Sequence, residues 1–261
     1  MNNKEKLINH LKRKIEHKEA NISVLFSAFN YEPIISYEID QVFSSASIIK
    51  VPIMLAVLEE VNSNKLSLND YIYVKKEDIL EDTECFKEAK KYCLYDLVEK
   101  MITKSDNTAT NILIDLLTKE RINEYIRVEL KLKKTVLNRK MLDFDSLKKG
   151  IDNLTTQKDM YEIFRKIFFN EILNDKLIEL AKEILLKQES KDQLNKHFNK
   201  KARFYHKTGE LDYLNHDVGV LEIAENFYYL GIFLSETKEI EGDKKFASEL
   251  GKDIGEYLSI K

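Results

Sequence analysis

The sequence predicts an α+β fold, an α/β sandwich in which an antiparallel sheet is flanked by N- and C-terminal helices and carries an inserted all-helical lobe. Three observations predict it. Apolar residues alternate with period two near both ends of the 261-residue chain, they recur with helical period through the middle, and an amphipathic helical pattern both opens and closes the sequence. Residues 1–44 with 200–261 are therefore expected to form the sheet domain, and 45–199 the inserted helical domain.

Each element follows from its residues. Leu7, Ile8, Leu11 and Ile15 fall on one helical face. Ile22, Val24, Phe26 and Ala28 then alternate, and after a short turn around Asn30 a second extended run, Pro33 to Ile39, completes a β-hairpin. From Ser47 to about Lys187 the pattern is mostly helical. The run IIKVPIMLAVLEEV is apolar nearly all round, which marks a buried helix. Pro52 inside it removes one backbone hydrogen bond and predicts a modest kink. Another helix follows Thr155-Thr156, with Met160, Ile163, Phe164, Ile167 and Phe168 on one face. Strand patterns return at 202–207, 217–224 and 226–234, and Phe246, Leu250, Ile254 and Leu258 mark a closing amphipathic helix.

The composition excludes several function classes. Charged residues make up 33 % of the chain but nearly cancel, with a formal net charge of -3. A nucleic-acid partner is not expected from that balance, because no basic stripe stands out; Lys131 to Lys134 reads as the solvated side of an element. Two cysteines, Cys85 and Cys93, make no disulfide framework, and the five histidines are scattered without the spacing of a metal site. No segment reaches the roughly 20 apolar residues of a membrane helix. The charged first 20 residues lack a signal peptide's apolar stretch, so the chain as written reads as cytoplasmic, and as exported if a leader was trimmed. A monomer with a small-molecule substrate and no membrane partner is the expectation.

Three short motifs carry chemistry. Ser47-Ile48-Ile49-Lys50 places a hydroxyl and an amine three residues apart, hence side by side on a helix. A serine hydroxyl becomes a useful nucleophile only when a base takes its proton, and a lysine serves as that base when apolar burial favours its neutral form. The same spacing at Ser146–Lys149 and Ser235–Lys238 reads as exposed helical pairs; the apolar surroundings distinguish Ser47. Ser105-Asp106-Asn107 reads either as a helix N-cap before an apolar run or as a proton relay at Ser105 with a substrate-binding amide at Asn107. Lys207-Thr208-Gly209, after the strand ARFYH, reads either as a strand ending at a glycine or as a carboxylate-binding edge. In the second reading the glycine lets a ligand backbone approach, and the N–H of Glu210 serves as an oxyanion donor.

Together and in this chain order, SxxK, SDN and KTG are the signature shared by β-lactamases and penicillin-binding proteins. The stretches SIIKVPIM, LYDLVEKMITKSDNTATNILID and YHKTGELDYLNHDVGV all resemble the class A β-lactamase-related serine hydrolases, and the resemblance covers nearly the whole chain. It implies a β-lactamase/transpeptidase-like fold. Ser47 would be the nucleophile, Lys50 its proton acceptor and Ser105 the shuttle to the leaving nitrogen. Asn107 would bind the substrate amide and help fix Lys50, while Lys207 would stabilise Ser105 and attract the substrate carboxylate with Thr208. The N–H groups of Ser47 and Glu210 would form the oxyanion hole beside Gly209. No metal and no organic cofactor is implied.

One departure matters. Family members that destroy penicillins carry a water-activating glutamate in a pattern like RxExxxN. If Arg139 is the matching arginine, Met141 stands at or beside that glutamate's position, and a thioether does not accept a proton from water. Asp143 or Asp145 would substitute if the loop brought either over the ester; otherwise both bond locally, as short aspartates in loops do. The expected activity is a β-lactamase-like serine hydrolase with an acyl-serine intermediate on a β-lactam, D-alanyl peptide or ester, with deacylation impaired. The alternatives are an acylatable sensor or D,D-peptidase-like protein without efficient turnover, and a scaffold with no covalent chemistry.

Overall fold

The computed structural model describes residues 2–29, 31–237 and 239–260; Asn30 and Lys238, named above, lie outside them. The chain begins with α1 (Asn3–Glu16), β1 (Asn21–Ala28), β2 (Ile35–Tyr37) and β3 (Val42–Ser44), then a 3-10 turn, Ala46–Ile49. There follow α2 (Lys50–Asn62), β4 (Tyr71–Val74), β5 (Lys90–Cys93), α3 (Leu94–Thr103), α4 (Asn107–Leu117), α5 (Lys119–Val128) and α6 (Phe144–Lys148). The remainder is β6 (Leu154–Thr156), α7 (Gln157–Phe168), α8 (Asp175–Leu186), β7 (Ala202–Leu211), β8 (Leu214–Ile223), β9 (Asn226–Ser235) and α9 (Ile240–Tyr257). No helix among the described residues is long and apolar enough to cross a membrane.

One compact unit comprises Met1–Ile48, Thr156–Arg165 and Ser190–Lys261. Its sheet has the order β2-β1-β9-β8-β7, with every neighbouring pair antiparallel. The alternation in β1 sends Val24 and Phe26 into a core shared with Leu11 and Ile15 of α1, Leu230 and Ile232 of β9, and Leu250 and Ile254 of α9. Burying side chains of this size contributes about 1.5–3 kcal/mol each. The opposite face takes Ser23 and Ser27, both buried, while Tyr229 packs on Tyr161 and Phe164 of α7.

The expected strands at 202–207 and 217–224 extend further: β7 runs to Leu211 and β8 starts at Leu214, joined by a tight turn. Lys207, Thr208 and Gly209 thus do not follow a strand but lie inside one, paired with Val218, Asp217 and His216. A glycine inside a strand calls for a reason, which the site supplies below.

The second compact unit comprises Ile49–Thr155 and Lys166–Glu189. Its centre is α2, whose residues from Lys50 to Leu58 are all buried, as the all-round apolar pattern requires. Around it pack α3, α4, α5 and α8. Pro52 occupies the third position of α2, in the first turn, where a helical N–H has no intrahelical acceptor to lose. The predicted kink is unnecessary for that reason. The insert is not wholly helical. It also holds an antiparallel hairpin, β4 with β5, formed where Tyr71-Ile72-Tyr73-Val74 concentrates aromatic and β-branched residues that favour strands.

Glycine at 251 is dictated by packing. A Cβ there would stand 1.9 Å from the carbonyl oxygen of Leu194, so α9 rests directly on backbone. Gly251→Ala is expected to lower unfolding free energy by about 2 kcal/mol or more, because backbone must move to admit the methyl. Urea denaturation of wild type and variant checks it.

Candidate active site

The second unit assembles a polar cluster around one amine. Lys50 opens α2 and has no solvent exposure. Between α3 and α4 the chain turns through Ser105, whose φ of 56° is left-handed and costs a non-glycine residue about 1–2 kcal/mol. Asp106 then caps α4 by accepting from the Ala109 N–H at 2.8 Å, so the capping reading of this motif holds. Its other oxygen accepts from the buried Thr83 hydroxyl. These constraints aim the corner at Lys50. The amine donates to the Ser105 carbonyl at 2.7 Å, to Asn107 Oδ1 at 2.8 Å and to Ser105 Oγ at 3.2 Å.

Burial disfavours the ammonium and lowers the Lys50 pKa to about 7, outweighing the attraction of Asp106 and Asp82. An ammonium carries three N–H donors and satisfies all three acceptors. The neutral amine keeps two donors, enough for the carbonyl and the amide oxygen, and turns a lone pair toward a hydroxyl.

The first unit holds the other motif residues. The 3-10 turn carrying Ser47 begins at Ala46, again with positive φ (40°), and the Ile48 N–H closes it onto the Ser45 carbonyl at 3.1 Å. Ser47 is half-buried between the buried Ala46 and Ile48. Gly209 of β7 lies against this turn, where a Cβ would stand 3.1 Å from the Ser47 nitrogen and 3.2 Å from the Ala46 Cβ. The strand glycine is therefore a device for close approach to Ser47. Neighbouring Lys207 is fully buried and donates to the Thr208 carbonyl at 2.7 Å; Thr208 is half-buried and Glu210 exposed, its carboxylate 2.9 Å from Lys244 of α9.

The turn is braced from behind. Nε2 of His216 donates to the Ser44 carbonyl at 2.8 Å, while Nδ1 accepts from the Leu234 N–H at 3.4 Å, which fixes the neutral tautomer. Phe43 meets the ring edge-on and Phe233 stacks on it. Complete burial lowers the His216 pKa to about 4.

The loop containing Met141 belongs to the second unit. Buried Arg139 pairs with Asp152 at 2.8 Å, and Asn153 Oδ1 accepts from the N–H groups of Asn138 and Arg139. Asn111 holds the Met141 backbone at two points, donating to its carbonyl at 3.1 Å and accepting from its N–H at 2.8 Å. Asn111 and Asn107 are four apart on α4 and share a face, so this clamp lies one turn from the amide that touches Lys50. Asp143 caps α6, accepting from the Ser146 N–H at 3.0 Å and hydroxyl at 2.7 Å, which holds its carboxyl below the usual range. Asp145 is exposed and pairs with Lys148 at 3.4 Å. Both aspartates are engaged locally.

Four contributors escaped sequence reasoning: Asp82, which accepts from Asn107 Nδ2 at 2.6 Å, with Thr83, Asn111 and His216. Only Asn111 left a usable signal, its helical spacing from Asn107.

The model of the beta-lactamase enzyme family matches residues 5–258. β-Lactamase VEB-1 of Pseudomonas aeruginosa is 23 % identical over 93 % of this chain and 87 % of its own length. Among solved structures, the β-lactamase of Sphaerobacter thermophilus superposes with a TM-score of 0.87 at 21 % identity, covering 97 % of this chain and 98 % of that one. A mutant of PBP-A, solved as an acyl-enzyme complex with penicillin G, gives 0.85 at 22 % identity over 98 % and 96 %.

His216 has a pH consequence. Its folded pKa near 4 lies below the unfolded value of 6.5, so its contribution to stability is full above 6.5 and is lost as pH falls toward 4. The loss is expected to be about 3 kcal/mol. Urea denaturation from pH 7.5 to 4 checks it, with His216→Phe showing a flatter dependence than wild type.

Proposed function

The chain belongs to the beta-lactamase enzyme family and is a β-lactamase-like serine hydrolase; on that premise we propose that Ser47 is its nucleophile and that the acyl-enzyme it forms with a β-lactam or D-alanyl peptide is long-lived. The observation that carries this reading is the buried Lys50 amine, whose pKa of about 7 leaves roughly half of it neutral at neutral pH. A base poised there matches the task of taking a serine proton at physiological pH.

In the proposed step Ser47 Oγ attacks the substrate carbonyl as its proton passes to Lys50. The carbonyl oxygen becomes an oxyanion held by the N–H groups of Ser47 and Glu210, each such donor being worth about 3 kcal/mol in the transition state. Lys50 then returns that proton through Ser105, whose Oγ lies 3.2 Å from its amine: Ser105 gives its hydroxyl proton to the leaving nitrogen and takes the one held on Lys50, the C–N bond breaks and an ester to Ser47 remains. Asn107 holds the substrate's side-chain amide. Lys207 and Thr208 attract its carboxylate, and the glycine at 209 lets this strand lie close against the Ser47 turn.

Release of the ester requires an activated water. Met141 offers no base, its backbone is clamped by Asn111, and Asp143 and Asp145 are engaged elsewhere; these facts favour slow deacylation. The likeness to PBP-A, a leucine-to-glutamate mutant of which was solved as an acyl-enzyme complex with penicillin G, supports the acylation step. A protein that is acylated and stays so acts as a sensor or a D,D-peptidase-like enzyme rather than an efficient β-lactamase.

Intact-protein mass with excess penicillin G is the direct test. A persistent adduct is expected on wild type and none on Ser47→Ala, whereas rapid penicillin consumption without accumulation would establish efficient turnover instead. Met141→Glu is expected to shorten the adduct's lifetime by about tenfold or more, since a positioned general base contributes about 10²–10⁴-fold. The pH dependence has a defined sign. Lys50 acts as base when neutral, so the acylation rate is expected to rise with pH through about 7 and level off above it. Stopped-flow acylation between pH 5 and 9 reads this limb.

A further inference from the structure

From the contacts of the exposed Asp82 we propose that it is a positioning residue for acylation, orienting the Asn107 amide and setting the charge state of Lys50. This rests on the reading of Lys50 as the base for Ser47.

The geometry is a chain of three groups within one unit. Asn107 Nδ2 donates to Asp82 Oδ2 at 2.6 Å, and Asn107 Oδ1 accepts from Lys50 Nζ at 2.8 Å. A side-chain amide has an oxygen end that only accepts and a nitrogen end that only donates, with nearly equal shapes. A carboxylate accepts and never donates, so Asp82 binds the nitrogen end alone. The oxygen is thereby turned to Lys50. Were the amide reversed, its NH2 would face the amine's N–H groups, and the lysine lone pair would be drawn to the amide instead of to a hydroxyl. Holding Asn107 by its nitrogen thus leaves the neutral amine with two donors spoken for, by Ser105 O and Asn107 Oδ1, and its lone pair on the hydroxyl side.

Asp82 also acts through its charge. The two carboxylates whose fields reach Lys50 are Asp106 and Asp82, and both favour the ammonium against the desolvation that opposes it. Asp106 is buried and committed to the α4 cap and Thr83, while Asp82 is exposed.

Orientation and charge separate experimentally. Asp82→Asn keeps an acceptor for Asn107 but removes the charge; Asp82→Ala removes both. The pH limb of acylation by penicillin G is measured for wild type and both variants, and Lys50 is followed directly by NMR of its side-chain carbons. Asp82→Asn is expected to lower the Lys50 midpoint by about half a pH unit, making acylation about two- to threefold faster than wild type at pH 6. Asp82→Ala is expected to show the same midpoint shift and, in addition, a plateau rate about tenfold below that of Asp82→Asn. An unmoved Lys50 midpoint in Asp82→Asn, or equal plateaus in the two variants, overturns the proposal. If wild type forms no adduct, the acylation reading fails by itself. The Lys50 titration and the Asn107 side-chain amide resonances, shifted in Asp82→Ala but not in Asp82→Asn, then decide the two halves of the proposal separately.

Discussion

A lysine amine sealed from solvent constrains everything placed around it. Left without partners its charge would cost several kcal/mol, so the chain either supplies acceptors or lets the proton go. Here it does both. Three oxygens surround Nζ, two carboxylates reach it electrostatically, and desolvation still brings the two protonation states close to balance at neutral pH. That balance depends on the burial of Lys50 in an apolar helix, on the corner between α3 and α4, and on the cap that fixes the corner.

Two of the left-handed non-glycine residues stand at the same motifs. Ala46 and Ser105 both adopt left-handed conformations without being glycine, one directly before Ser47 and one at the second motif's serine. Such residues persist where surrounding structure over-determines them. At Ala46 the bracing comes from the closed 3-10 turn and from His216 on the Ser44 carbonyl. At Ser105 it comes from the Asp106 cap and from Lys50 itself. Local conformational preference has been overruled by tertiary contacts at the points where chemistry is proposed.

Much of this was legible beforehand, and the reasons differ by element. The terminal helices, the hairpin and the C-terminal strands announce themselves because one-sided burial writes its period into the sequence, as in Leu7, Leu11 and Ile15 or Val24 and Phe26. The family was legible from three motifs in order. The extent of β7 was not, because a glycine normally ends a strand and only the proximity of the Ser47 turn explains why this one does not. Asp82 was invisible for a related reason: in Leu80-Glu81-Asp82-Thr83-Glu84 it is one charge among several, and its importance comes from a partner 25 residues away. The β4–β5 hairpin was hidden in a helical stretch by its brevity.

The side-chain amide of Asn111 grips Met141 through that residue's main-chain atoms alone. Such a clamp does not read the side chain it holds, so these two bonds persist through any substitution whose side chain fits the buried space that Met141 fills.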